Sequence, residues 1–154
     1  MRLFALLIGL LLSGAVWAQP SPLPPELTVL TAKAKLEGSV AKWCRGEFRP
    51  GQLGAAFATA VASKHGGGHY LILEASGATF SLASYSGGAD LSCYSPAEAR
   101  KLSDTIAKSE TIQGQVQPLW ATTVICGFVE NTHAVCWQYS PTENAFVQVG
   151  DWVT

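Results

Sequence analysis

The stretch Val124-Ile-Cys126-Gly-Phe-Val-Glu130-Asn-Thr-His-Ala-Val-Cys136-Trp137 decides how this chain is built. Two runs rich in β-branched and aromatic residues flank a short polar break, the pattern of an antiparallel hairpin. A cysteine stands in each run, and the turn length decides what the two can do. If Glu130-Asn131-Thr132 form a three-residue loop, residue i pairs with 262 − i and Cys126 falls opposite Cys136, close enough for a cross-strand bridge. If Asn131-Thr132 alone make the turn, the sum becomes 263 and the two cysteines face opposite sides of the sheet. Thr132 is β-branched and resists the positive φ of a tight two-residue turn, although it also fits a three-residue loop poorly. The 262 register is preferred on this balance.

Four cysteines, Cys44, Cys93, Cys126 and Cys136, allow three connectivities, among which sequence alone does not decide. A hairpin bridge leaves Cys44 to pair with Cys93 by elimination. In the chain-entropy picture that longer closure contributes about 4 kcal/mol.

An even cysteine count fits an oxidising compartment, and the N-terminus points the same way. Residues 1–18 carry Arg2, an uninterrupted apolar stretch and a small-residue end, with Val16 and Ala18 placed for cleavage before Gln19. The apolar run is short for a membrane span, and no basic stop-transfer cluster follows it. Leu12-Ser13-Gly14 resembles the start of a lipoprotein signal, but Ala15 stands where the lipidated cysteine would be. The expectation is an exported protein, periplasmic or extracellular, with a signal peptide over 1–18 and no stable membrane anchor after cleavage.

Removing 18 residues from 154 leaves 136, the size of one domain. Of the ten basic residues only Arg2 is lost, so nine remain against eleven acidic ones, a net charge of −2. No basic stretch or stripe appears, which argues against nucleic acid or an anionic membrane as partner. The segment 19–25, with four prolines, reads as a flexible linker ahead of a single domain over 26–154.

Within that domain Val29, Ala32, Leu36, Val40 and Trp43 recur at helical spacing, which predicts one helix ending near Arg45-Gly46, with Cys44 at its C-terminal end. Strands are expected over 56–63, 69–75, 79–85, 90–94, 111–118, 122–130, 133–140 and 145–154, with glycine turns between the early ones. Ser95-Pro96-Ala97-Glu98 is a helix start with a capping box. The fold class is α+β: an antiparallel sheet of hairpins, about seven strands, packed by two helices and stapled by disulfides.

No reactive constellation stands out. A cysteine nucleophile needs a lowered pKa, whereas Cys44 at a helix C-terminus would have its thiol pKa raised. His65-Gly-Gly-Gly-His69 has i, i+4 spacing, but three glycines oppose the helix that would align both rings on a metal. The carboxylates show no spacing that sets up an acid–base pair, and no Gly-x-Ser-x-Gly elbow exists. No metal and no cofactor are expected. Trp43, Trp137 and Tyr139 read as core, with Gly127 leaving room for Trp137 to lean across. Trp120, in a turn, and Trp152, near the end of the chain, are the candidate binding residues. The expected function is non-catalytic recognition of an envelope protein or a cell-wall glycan. Alternatives are a small hydrolase with carboxylate or histidine catalysis, or a structural envelope component. A polar cleft holding His65 or His69 with two carboxylates would favour the hydrolase. A flat exposed patch joining Trp120 and Trp152 would favour recognition.

Overall fold

Residues 22–153, the part of the chain described by the computed structural model, form two antiparallel sheets with one helix against each. The expected signal peptide over 1–18 and the start of the linker lie outside the described residues. The order is α1 (Pro25–Lys33), β1 (Ser39–Arg45), β2 (Ala56–Ala62), β3 (Gly68–Glu74), β4 (Thr79–Tyr85), β5 (Leu91–Tyr94), α2 (Pro96–Lys108), β6 (Gln113–Val116), β7 (Val124–Glu130), β8 (His133–Ser140) and β9 (Ala145–Val153). The α+β class holds. The strands divide into a four-stranded sheet, β1-β2-β3-β4, and a five-stranded sheet, β5-β7-β8-β9-β6. Alternation along a strand reports which side chains share a face, and is silent on which sheet the strand joins.

Side-chain period two lays out the layers. Ala56, Ala58, Ala60, Tyr70 and Ile72 of the first sheet meet Ile125, Val135 and Trp137 of the second in one cluster. The intervening Phe57 and Leu73 point the other way, to Leu27 and Leu30 of α1. On the second sheet Val124, Cys126, Cys136 and Val149 face outward and take Ala99 and Ile106 of α2. The layers therefore run α1, first sheet, second sheet, α2. The small alanine face of β2 makes room between the sheets for large rings, and Tyr70 lies 4.7 Å from Tyr85 and 5.7 Å from Trp137 between centroids. Space beside Gly127 is filled by Tyr70 instead of Trp137: a Cβ there would sit 2.7 Å from Tyr70 Cζ. The Tyr70 hydroxyl shares its proton between the carbonyl oxygens of Asp90 and Phe128, 2.7 Å from each.

The hairpin resolves the turn question by using both options. Glu130 pairs with His133 around a two-residue Asn131-Thr132 turn, and a bulge between Phe128 and Glu130 then shifts the register by one. From Phe128↔Ala134 onward the pairs sum to 262, so Cys126 stands opposite Cys136 and is bonded to it, with Cα atoms 4.1 Å apart. Neither turn residue has positive φ, so the turn lacks the twist of the primed types that suit a tight hairpin. A bulge adds local right-handed twist, which compensates. Cys44 is bonded to Cys93, tying edge strand β1 of one sheet to edge strand β5 of the other.

The long first helix is a correction. It stops at Lys33, and residues 39–45 are strand β1. Lys35 has φ 51°, and Lys35 N donates to Ala32 O while Leu36 N donates to Thr31 O. These bonds form a Schellman motif, with Leu36 returning to the α1 cluster as its apolar contact. Leu36, Val40 and Trp43 thus imitate a helical stripe across a turn and a strand. Cys44 lies on β1 rather than at a helix end, so the dipole argument about its thiol does not apply. Trp43, expected in the core, is 37 % exposed, and Val29 is 64 % exposed while Leu27 and Leu30 are buried. Upstream, Leu23 already packs against α1 and Pro25 opens the helix, so the linker ends earlier than expected. The capping box forms in full at α2: Ser95 Oγ accepts from Glu98 N, and the Glu98 carboxylate accepts from Ser95 N at 2.8 Å. The Ser95 hydroxyl also donates to the Glu98 carboxylate at 2.7 Å, and this bond first, then the one from Ser95 N, holds the Glu98 carboxyl below its ordinary pKa.

Candidate functional site

Two loops far apart in sequence meet at one end of the sheets. The first, 46–55, leaves β1, and the second, 117–123, leaves β6. Each is organised by a glutamine. Gln52 accepts from Phe48 N at 3.0 Å and donates to the carbonyls of Gly46 and Gly54 at 3.0 and 3.3 Å. Gln138, fully buried on β8, accepts from Leu119 N and Trp120 N at 2.9 and 3.2 Å, and donates to the carbonyls of Trp120 and Thr122 at 2.7 and 2.8 Å. An amide has two acceptor lone pairs and two donors, so Gln138 spends all its capacity on this one loop. The loops are also joined directly, Thr123 N donating to Glu47 O at 2.8 Å.

Between them lies an open cleft of about 360 Å³ whose lining includes Glu47, Arg49, Pro50, Trp120, Thr122 and Pro141. Arg49 is held from behind. Its Nε and Nη2 donate to the two carboxylate oxygens of Glu74 at 2.6 Å each, and Glu74 is only 2 % exposed. The guanidinium lies 5.0 Å from the Phe80 ring and 5.6 Å from that of Tyr139. The Tyr139 hydroxyl in turn donates to Asn144 Oδ1. The side-chain bonds to Glu74 keep the Arg49 pKa above its ordinary value, so it carries its charge at any working pH. Nη1 takes no part in the Glu74 pair. Thr122 Oγ1 is buried with no hydrogen-bond partner among the described residues, which is uncommon for a buried hydroxyl.

Trp120 is partly buried: its ring packs on the α2-side cluster while the residue lines the cleft. Trp152 packs partly against the same cluster from β9. Trp152 pairs with Ala134 across the β8–β9 ladder. Trp120 lines the cleft and Trp152 does not, although both pack on the one cluster. Leu53, 83 % exposed, and Leu119, 60 % exposed, stand on the two cleft loops. Neither glutamine was singled out in the sequence, although Gln138 inside the apolar run Val135-Cys136-Trp137-Gln138-Tyr139 is a signal, since a buried amide must find partners.

A second concavity lies beside the β2–β3 turn, where His65 and His69 line an open groove with Lys64 and Glu37 over Val61 and Leu71. His69 Nδ1 lies 3.1 Å from Ser84 Oγ. The groove brings both histidines together with one carboxylate, Glu37, where a hydrolase of the expected kind calls for two. His133 stands elsewhere, 4.0 Å from Asp151. Among the described residues no cluster of three or more His, Cys, Asp or Glu is placed to hold a metal ion, and no helix is long and apolar enough to cross a membrane.

No family model matches the chain, and neither the curated proteins nor the solved structures give a match to it. What defines it is its own architecture: a two-sheet α+β protein with two disulfides and a cleft between two glutamine-pinned loops.

Proposed function

We propose that this is an exported recognition module, working in the periplasm or outside the cell, which holds its ligand in the cleft between loops 46–55 and 117–123. The observation that carries this reading is the pinning of both loops by Gln52 and Gln138. Loops ordered in advance do not have to be ordered on binding, so more of the contact energy appears as affinity. Trp120, a candidate from the sequence, lies in this cleft, whereas Trp152 does not. The two disulfides fit an oxidising compartment. The hydrolase alternative would draw on the groove of His65 and His69, which offers one carboxylate, Glu37.

The test is comparative capture from an envelope extract by the oxidised protein and by Trp120→Ala. A protein or glycan retained by the parent and lost from a folded Trp120→Ala variant is expected. Retention that survives the substitution would rule out this cleft. Fractionation of cells expressing the full chain, with N-terminal sequencing of the product, should find a chain beginning at Gln19 outside the cytoplasm.

A further inference from the structure

We infer that the cleft is a carbohydrate subsite for a neutral, hydroxyl-rich ligand about one or two sugar rings long; this rests on the recognition reading above. The charges give the first reason. Arg49 is matched by Glu74 through two short bonds, while Glu47 stands exposed at the rim. The cleft thus has no uncompensated positive charge to draw an anion, and the charged group it leaves unmatched is the Glu47 carboxylate, an acceptor for hydroxyl groups.

The second reason is the type of polar group. Arg49 and Glu47 bring donor and acceptor chemistry to one lining, planar groups of the kind that meet adjacent hydroxyls. Trp120, Pro50 and Pro141 supply rigid apolar faces for the C–H side of a pyranose ring. The volume of about 360 Å³ falls at the small end of ligand sites, which suits a short saccharide and not a folded partner.

A protein is the competing occupant, and exposed Leu53 and Leu119 are what it would grip. The two occupants depend on different side chains. Calorimetric titration of the oxidised protein, expressed from the full chain, with chitotriose and cellotriose is the experiment, with trigalacturonate as an anionic control. The expected result is binding of a neutral trisaccharide in the range of about 10 μM to 1 mM. It should change less than about twofold between low and high salt, since no net charge is neutralised. Trp120→Ala should weaken it at least about tenfold, and Glu47→Ala, at an exposed position that does not threaten folding, at least about threefold. Leu53→Ser with Leu119→Ser should leave it unchanged. Heat with trigalacturonate alone, or none with either neutral sugar up to about 10 mM, overturns the carbohydrate assignment. If capture of an envelope protein is then lost in the double leucine variant, the cleft loops remain a recognition site with a protein occupant. If neither sugar nor protein binding responds to any of these substitutions, the recognition reading falls as well.

Discussion

Replacing Gln138 by leucine should detach the loop that presents Trp120 while leaving both sheets in place. The side chain makes four hydrogen bonds to Leu119, Trp120 and Thr122 from a fully buried position on β8. At a net of about 0.5–1.5 kcal/mol each, their loss amounts to about 2–6 kcal/mol if nothing replaces them. Leu119 is exposed, so water can take up part of the loop's freed groups, whereas the bond to Thr122 O is buried and has no such relief. A leucine of similar size regains about 1–2 kcal/mol by burial. The expected net loss is about 1–4 kcal/mol, a fall in Tm of about 3–15 °C. Urea unfolding followed by tryptophan fluorescence gives the stability, and amide exchange at Leu119 and Trp120 gives the mechanism. Their N–H groups bond to Gln138, so their protection should collapse while that of β7 and β8 persists. Full protection at both amides with a stability loss under about 0.5 kcal/mol would refute the argument that Gln138 holds the loop. Gln138→Glu adds a sign test. The carboxylate still accepts from both N–H groups but faces two carbonyl oxygens, so the native state favours the protonated form. Its stability should fall as pH rises past about 4.3, where the unfolded carboxyl ionises.

Other expectations come from single features of the fold. Burial pushes the Tyr70 hydroxyl up to about 12, against an ordinary 10. The unfolded chain then ionises first, so stability should decline between those pH values by about 2–3 kcal/mol. Tyr70→Phe should lose that part of the decline in alkaline urea titrations, at the cost of leaving two carbonyls unpaired. Lys35→Gly relieves a lysine at φ 51° in the Schellman motif and should raise stability by about 0.5–1 kcal/mol in the same assay. A decrease would show that the lysine side chain matters more than its backbone. Gly127→Ala would drive a methyl against Tyr70 Cζ at 2.7 Å and the Asp90 carbonyl at 2.9 Å. A loss of about 1–3 kcal/mol or more is expected by calorimetry, and a neutral result would mean the two sheets separate easily there. Removing Cys44–Cys93, with a sequence separation of 49, should cost about 4 kcal/mol, against about 3 for Cys126–Cys136 with a separation of 10. Paired alanine variants compared in urea would reverse that order if native-state packing, and not loop closure, dominates.

Elements whose signals are local and mutually consistent were readable from residues alone. Thr79–Tyr85 and His133–Ser140 are strands at the expected bounds, and Ser95-Pro96-Ala97-Glu98 caps α2 as its chemistry requires. Residues 34–45 were misleading because apolar residues three and four apart fit a helix equally well as a turn followed by an alternating strand. Lys35 at φ 51° and Gly38 at φ 129° separate the two, and of these only the glycine is a sign that residue type carries. At the hairpin, turn length and bulge offset one another, so the cysteine register could be right while neither simple turn was.

The cleft lies on the other side of this divide. Loops 46–55 and 117–123 come together only because β1 and β6, though distant in the chain, deliver them to one end of the stacked sheets. Composition and spacing were enough for the α+β class and the hairpins, and they favoured the pairing of cysteines that the fold shows, because those depend on neighbours along the chain or on a single register. Which strands share a sheet, which face α1 covers, and that Arg49, Glu47 and Trp120 line one cleft depend on long-range packing. Gln138 illustrates the difference: its residue type demands four partners, and only the tertiary fold decides that all four lie in one loop.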